Sequence, residues 1–140
     1  MRILIINGPN LNLLGIREPH IYGTQSFDQF FEPLQAAFSG HQIKAVQSNH
    51  EGAIIDYLHE AMQTADAVII NPGGYSHTSI AIADAIRSIS LPVIEVHLSN
   101  IHARESYRSH SYTAAATVGM ICGFGLEGYR MAVEYLLRNS

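Results

Sequence analysis

Cysteine is nearly absent from this sequence, which has one such residue, Cys122, among 140. A single cysteine cannot form an internal disulfide bond, so the composition fits a reducing compartment such as the cytoplasm. Cys122 lies in an apolar run, residues 118–122, where we expect a buried and unreactive thiol.

Charge and long apolar runs are also scarce. Charged residues make up 14% of the chain against 47% hydrophobic residues, and the net charge is −4. Without a basic patch we expect no binding to nucleic acid. No run of 18 apolar residues and no signal-peptide pattern occurs, so we expect neither membrane insertion nor export. The length is typical of one domain, and residues 1–140 are predicted to form a single soluble globule.

Five short apolar runs rich in β-branched residues alternate with segments of helical periodicity. The runs cover residues 3–6, 43–46, 67–70, 92–96 and 117–122. Because they are continuously apolar rather than alternating, we expect strands that are covered on both faces. The pattern predicts an α/β fold with a five-stranded parallel sheet between two helical layers.

Local signals give the expected positions of the helices. Ser26 and Gln29 have the spacing of a capping box, and Ser48 with Glu51 has the same spacing before a second helical pattern. Pro33 falls inside the first of these helices and is expected to kink or interrupt it. Two further helices are predicted over residues 76–89 and 126–138.

Neutral hydrogen-bonding residues follow three of the predicted strands. They lie in residues 7–12, 71–77 and 95–99. In parallel sheets, ligands bind outside the carboxyl ends of the strands, so these segments predict a site for a small molecule. Three arginines, at least two of them in segments next to this edge, favour an anionic ligand, with a surface ion pair as the alternative for each: Arg17, Arg104 and Arg108.

Two patterns that could indicate a dinucleotide site and a metal site lack the further residues that such sites require. Residues 123–128 have the GxGxxG spacing, but no strand and acidic residue follow at the distance that a dinucleotide site requires. We therefore predict no nicotinamide cofactor there, only a tight passage from strand to helix. His97 and His102 lack the further ligands that a metal site would need, so no metal is predicted.

The fourth strand carries the best candidate for an acid or base. Glu95 and His97 are two residues apart and therefore on the same face, where a carboxylate could fix the tautomer of the imidazole. A satisfied core histidine is the alternative. Ser99 could suggest a hydrolase, but no GxSxG elbow is present. Tyr22 lies in the glycine- and proline-rich loop 8–25, where a tyrosine taken alone is more often a packing residue than an acid–base group.

Four segments of this sequence resemble the successive signature blocks of type II 3-dehydroquinate dehydratases. They are NGPNLNLLGIREPHIYG, QSNHEGAIIDYLHEA, INPGGYSHTSIAIADAI and EVHLSNIHARESYRSHSY, and the resemblance extends over residues 2–136. It implies a flavodoxin-like fold and the shikimate-pathway dehydration of 3-dehydroquinate through an enolate, as a step of chorismate and aromatic amino acid biosynthesis. It also implies that no cofactor is used.

The resemblance implies catalytic roles for five residues. Tyr22 would be the base that removes the C2 proton, and Arg17 would favour its ionised form when loop 8–25 closes as a lid. Asn12 would stabilise the enolate through an ordered water. His97 would protonate the departing C1 hydroxyl, with Glu95 orienting its ring.

The same resemblance implies the substrate-binding residues and the assembly. Hydroxyl groups and the carboxylate of the substrate would be bound by Asn71, His77, Leu98, Ser99 and Arg108. Asp84 would reach the site of a neighbouring subunit, in a cytoplasmic dodecamer of four trimers. Residues 113–115 depart from the family pattern without touching a predicted role. A non-catalytic receiver-like domain and a purely structural oligomer remain the rival interpretations.

Overall fold

Five parallel strands form one sheet in the computed structural model, which describes all 140 residues. The strands are β1 (Arg2–Asn7), β2 (Gln42–Gln47), β3 (Ala67–Asn71), β4 (Val93–His97) and β5 (Gly119–Cys122). Their order across the sheet is β2-β1-β3-β4-β5. This is the doubly wound order in which the chain direction across the sheet reverses between β1 and β3. The five predicted strands are confirmed to within a few residues.

Five helices cover the two faces of the sheet or lie in the loop after β1. They are α1 (Pro19–Tyr22), α2 (Phe27–Ala37), α3 (Glu51–Thr64), α4 (Ile80–Ser88) and α5 (Glu127–Arg138). Helices α2 and α5 pack on one face through a core that includes Leu34 and Val133. Helices α3 and α4 pack on the other through Leu58 and Ile82. The predicted sheet between two helical layers is therefore confirmed. None of these helices is both long and apolar enough to cross a bilayer.

The start of α2 agrees with the prediction, whereas its interior does not. The Ser26 hydroxyl accepts a hydrogen bond from the Gln29 amide at 3.1 Å, and the Gln29 side chain accepts one from the Ser26 amide at 3.0 Å. The helix continues through Pro33 without interruption. Phe30 before it and Leu34 after it are both buried in the core, and this anchoring holds the two halves of the helix together.

The starts of α3 and α4 differ from the prediction. Ser48 does not cap α3, because its hydroxyl accepts from the His50 amide instead. Residues Gly73–His77 form a 3₁₀ turn, and α4 begins only at Ile80. Ser79 is the actual N-cap of α4, since its hydroxyl accepts from the Ile82 amide at 3.0 Å.

Candidate active site

A cleft opens at the carboxyl ends of β1, β3 and β4, next to the point where the strand order reverses. Its cavity of about 130 Å³ has room for one small molecule rather than a dinucleotide. The site residues predicted from sequence that line it are Arg17, Tyr22, Asn71, His77, His97, Leu98, Ser99 and Arg108. Residues from four separate parts of the chain thus converge on one small cavity.

Two glycines allow the loops after β1 and β3 to touch at the floor of the cleft. A Cβ atom at Gly8 would lie 2.5 Å from the Pro72 carbonyl oxygen, which no side chain could tolerate. Gly73 has a φ of 61°, in the left-handed region that favours glycine. The Gly8 amide donates to the Asn71 carbonyl at 2.7 Å, so the two loops are also joined by their backbones.

The loop between β1 and α2 is more ordered than its glycine and proline content predicts. It contains a 3₁₀ turn, Leu11–Leu13, and the short helix α1. Leu14 is buried in the core and anchors the first half of the loop. Glycines with positive φ flank α1 at Gly15 and Gly23, and Glu18 starts it with φ 41°.

Tyr22, at the end of α1, lies against two guanidinium groups. The nearer is Arg104, whose Nη1 donates to the phenol oxygen at 2.7 Å. Arg17 lies over the ring, with its Cζ 4.8 Å from the ring centroid. A guanidinium donor at the oxygen and a second cation over the ring place two positive charges against the phenol. Arg104 also donates to the Ser99 hydroxyl at 3.4 Å and so connects the segment after β4 to the loop that carries Tyr22.

His97 lies at the end of β4 against a buried carboxylate. Its Nε2 donates to Oε2 of Glu95 at 2.7 Å, and Glu95 is fully buried. Ser111 donates to the same oxygen at 2.6 Å, and the Thr113 hydroxyl donates to the other. With both carboxylate oxygens occupied, Glu95 has one orientation, and Nδ1 of His97 is the ring nitrogen left for a ligand.

His77 stacks on His97 at the rim of the cleft. The two ring centroids are 6.1 Å apart with an interplanar angle of 25°. Partial burial lowers the pKa of His77, which therefore favours the neutral form at pH 7. Its Nδ1 donates to the His110 carbonyl at 2.7 Å. The neutral ring then presents Nε2 as a hydrogen-bond acceptor to a ligand hydroxyl.

Asn12 and Asp84 do not line the cleft. Asn12 faces a separate depression that Ser26 and Gln47 also line. Asn10 lies in the cleft instead, because the chain turns there with a φ of 69° before the 3₁₀ turn carries Asn12 to the other side. Asp84 is on the outer side of α4, with 70% of its side chain exposed and Arg87 as its partner.

Several residues of this site carry contacts that sequence reasoning did not assign. Asn10 was recognised only as a polar residue near the expected edge, Arg104 only as a candidate for an anionic ligand, and Ser111 was not assigned. The expectation that Thr113 touches no predicted role is wrong, because its hydroxyl donates to Glu95. The Arg104 contact with Tyr22 joins residues 82 positions apart, and the Thr113 contact with Glu95 joins residues 18 apart. No local sequence pattern predicts contacts between residues so far apart in the chain.

Comparison with known proteins gives consistent matches over the whole chain. A family model described as dehydroquinase class II matches residues 1–137. A catabolic 3-dehydroquinase of Emericella nidulans is 52% identical over 98% of this chain and 91% of that protein. A 3-dehydroquinate dehydratase of Actinobacillus pleuropneumoniae is 49% identical over 97% of this chain and 90% of that protein. The crystal structure of a type II dehydroquinase from Butyrivibrio crossotus superposes with a TM-score of 0.93 at 46% identity, covering 100% of this chain and 98% of that one.

Proposed function

Because the chain belongs to the class II dehydroquinase family, we propose that its cleft removes water from 3-dehydroquinate to give 3-dehydroshikimate, the lyase step of the shikimate pathway. The observation that carries the proposed mechanism is the convergence of the Tyr22 phenol and the His97 imidazole on one cavity. The Tyr22 phenol accepts a hydrogen bond from the Arg104 guanidinium, and the His97 imidazole donates one to the Glu95 carboxylate.

Tyr22 is the base of the first half-reaction. As a phenolate stabilised by Arg104 and Arg17, it takes the proton from C2, next to the C3 ketone, and the electron pair moves into an enolate. The 2.7 Å contact from Arg104 supports this role, because the guanidinium would stabilise the phenolate without giving it a proton. Arg104 thereby takes the position at the phenol oxygen, and Arg17 assists from the ring face.

The enolate oxygen needs a hydrogen-bond donor that is already in place, because a ketone α-proton is only weakly acidic. Asn10 fills this role in place of Asn12. Its side chain makes no hydrogen bond within the protein, while its backbone amide is held by Asn49 at 3.0 Å. The backbone at Asn10 is thus anchored, and the N–H groups of its side-chain amide are free to reach the enolate, directly or through a water.

His97 is the acid of the second half-reaction. As the imidazolium paired with Glu95, it gives the proton on Nδ1 to the C1 hydroxyl as the C1–O bond breaks. Water leaves, and the enolate electrons form the C1–C2 double bond of the conjugated product. The three hydrogen bonds to Glu95 support this role, since they hold the carboxylate in one orientation next to the ring that must carry the proton.

The other cleft residues bind the groups of the substrate that do not react. Arg108 and the backbone amides at Leu98 and Ser99 bind the carboxylate, with the Ser99 hydroxyl assisting. His77 and Asn71 bind hydroxyls. Arg108 is oriented for this by Glu105, whose Oε2 accepts from the Arg108 Nε at 2.9 Å.

The proposed activity is tested by following the ultraviolet absorbance of the conjugated enone after purified protein is mixed with 3-dehydroquinate in the presence of EDTA. We expect a rise in absorbance that the chelator does not slow. Borohydride added with substrate should leave the activity intact, because no lysine imine is proposed. Absence of any absorbance rise would remove the proposed function.

Replacing Asn10 by alanine is expected to lower kcat by roughly 100- to 1,000-fold, the usual effect of losing one oxyanion donor. The matched control is Asn12→Ala, two residues away and also exposed, which should leave kcat unchanged. The measurement is steady-state kinetics by the same absorbance. If Asn12→Ala were the variant that lost activity, the enolate would be stabilised from the other side of the loop.

Assembly, pathway direction and location are proposed more broadly. We propose a dodecamer of four trimers in the cytoplasm, in which Asp84 reaches a neighbouring site. The exposure of Asp84, and of Ile80 on the same helix at 62%, supports a contact surface there. We propose a biosynthetic role in making chorismate and aromatic amino acids. Catabolic 3-dehydroquinases also occur among the relatives, so use of quinate is the second candidate.

A further inference from the structure

Tyr129 reaches the underside of the cleft from α5 without lining it. Its side chain is fully buried, and its ring packs edge-on against Phe27 with a centroid distance of 5.4 Å. The hydroxyl donates to Oδ1 of Asn7 at 2.6 Å and accepts from Nδ2 of Asn71 at 3.1 Å. It therefore joins the ends of β1 and β3 at the point where the strand order reverses.

These contacts leave Asn71 a single amide orientation. Its Nδ2 donates to the phenol oxygen, while its Oδ1 accepts from the Gly73 amide at 3.1 Å. After a flip, Nδ2 would face the Gly73 N–H, donor against donor. Oδ1 would face a phenol oxygen whose only proton is already given to Asn7. The second hydrogen on Nδ2 is the one left for a ligand in the cleft.

We propose that Tyr129 is a positioning residue for substrate recognition, because its hydroxyl selects the Asn71 orientation that presents an N–H to a substrate hydroxyl. This inference rests on the proposed function. Tyr129 acts only through Asn71, since the phenol does not reach the cavity that Asn71 lines. Asn7 completes the arrangement by accepting the phenol proton and so fixing the direction of the hydroxyl.

Burial keeps the hydroxyl available as a donor at working pH. The apolar surroundings raise the pKa of Tyr129 well above its ordinary value, so the phenol stays neutral. No charged side chain hydrogen-bonds to it. Its neighbours are the Phe27 and Phe30 rings and the two asparagine amides. The arrangement therefore does not depend on a change of charge at the hydroxyl, which acts on Asn71 together with the Gly73 amide.

The test is Tyr129→Phe, which keeps the ring and removes the hydroxyl. A typical neutral hydrogen bond is worth about 0.5–1.5 kcal/mol, so we expect KM to rise by roughly two- to tenfold. We expect kcat to stay unchanged, because the lost contact binds ground state and transition state alike. Tyr135→Phe on the same helix is the matched control, since its hydroxyl makes no hydrogen bond and 47% of the residue is exposed.

A double-mutant cycle separates positioning from structure. In an Asn71→Ala background, Tyr129→Phe should raise KM no further, because the group it orients is gone. If the two substitutions raised KM by independent factors, or if Tyr129→Phe left KM unchanged, the inference would be overturned. Wild-type protein that fails to dehydrate 3-dehydroquinate would instead overturn the proposed function.

A second variant covers the case in which Tyr129→Phe does not fold. Asn7→Ala keeps the phenol and frees its proton to turn toward Asn71, which removes one of the two contacts that oppose a flipped amide. We expect the same rise in KM with unchanged kcat, and no effect of Asn7→Ala in the Asn71→Ala background. A rise that persisted in that background would show that Asn7 supports the fold rather than the amide orientation.

Discussion

Replacement of Tyr22 by phenylalanine is expected to lower kcat by roughly 100- to 10,000-fold, the range typical of losing a general base. The substitution keeps the ring under Arg17 and removes only the ionisable oxygen that Arg104 contacts. The measurement is single-turnover and steady-state dehydration, together with exchange of the C2 hydrogen of the substrate in deuterium oxide. Both dehydration and exchange should be lost, since both begin with removal of that proton.

The control for this variant is Tyr57→Phe. Tyr57 lies partly buried on α3, and its hydroxyl makes no hydrogen bond. Its loss should leave both rates unchanged, and the melting temperatures of the two variants should stay close to that of the wild type. Full activity in Tyr22→Phe would mean that another group removes the C2 proton.

Replacement of His97 by glutamine should also lower kcat for dehydration by roughly 100- to 10,000-fold, but for a different reason. The amide can keep a hydrogen bond to Glu95, yet it cannot deliver a proton to the departing hydroxyl. Proton removal at C2 does not need His97, so the variant should still exchange the C2 hydrogen. Retained exchange with lost dehydration, followed by nuclear magnetic resonance in deuterium oxide, is the expected signature.

His102→Gln provides the comparison for that variant. His102 is exposed in the 3₁₀ turn Ile101–Ala103, and its ring makes no hydrogen bond. Dehydration and exchange should both be unaffected. Loss of exchange in His97→Gln along with dehydration would contradict the division of the two proton transfers between Tyr22 and His97.

The sheet could be predicted from the sequence because the burial of each strand determines the residue types within that strand. Strands covered on both faces must be apolar at nearly every position, and β3, with all five residues buried, is the extreme case. Its buried end residue, Asn71, breaks that rule and marks the site. The pairing of Asn7 with Asn71 across β1 and β3 then follows from the register of the sheet.

The loop between β1 and α2 could be predicted only in part, because tertiary structure decides which of its side chains face the cleft. Asn10 and Asn12 are the same residue type two positions apart, and only the left-handed turn at Asn10 decides which one faces the cleft. Similarly, Arg17 is close to Tyr22 in sequence, whereas Arg104 reaches the phenol oxygen from beyond β4. Periodicity carries no information about either outcome.

The start of α4 illustrates a related limit. Residues Gly73–His77 make a 3₁₀ turn, whose apolar and polar spacing resembles that of the α-helix that follows. Ser79 separates the two, since it caps Ile82 and also donates to Glu51 on α3 at 2.5 Å. That second contact depends on how two helices lie against each other, and it is invisible in either segment alone.

The left-handed backbone at Glu18 has a consequence for how this protein could be made more heat-resistant. A residue with a Cβ atom in that conformation costs the folded state roughly 1–2 kcal/mol relative to glycine. Screens for thermal tolerance would therefore favour glycine at this position. Glycine at position 18 would also give α1, which begins at Pro19, more freedom of orientation, and Tyr22 would be held less firmly against Arg104. The more heat-resistant protein would therefore be the slower catalyst.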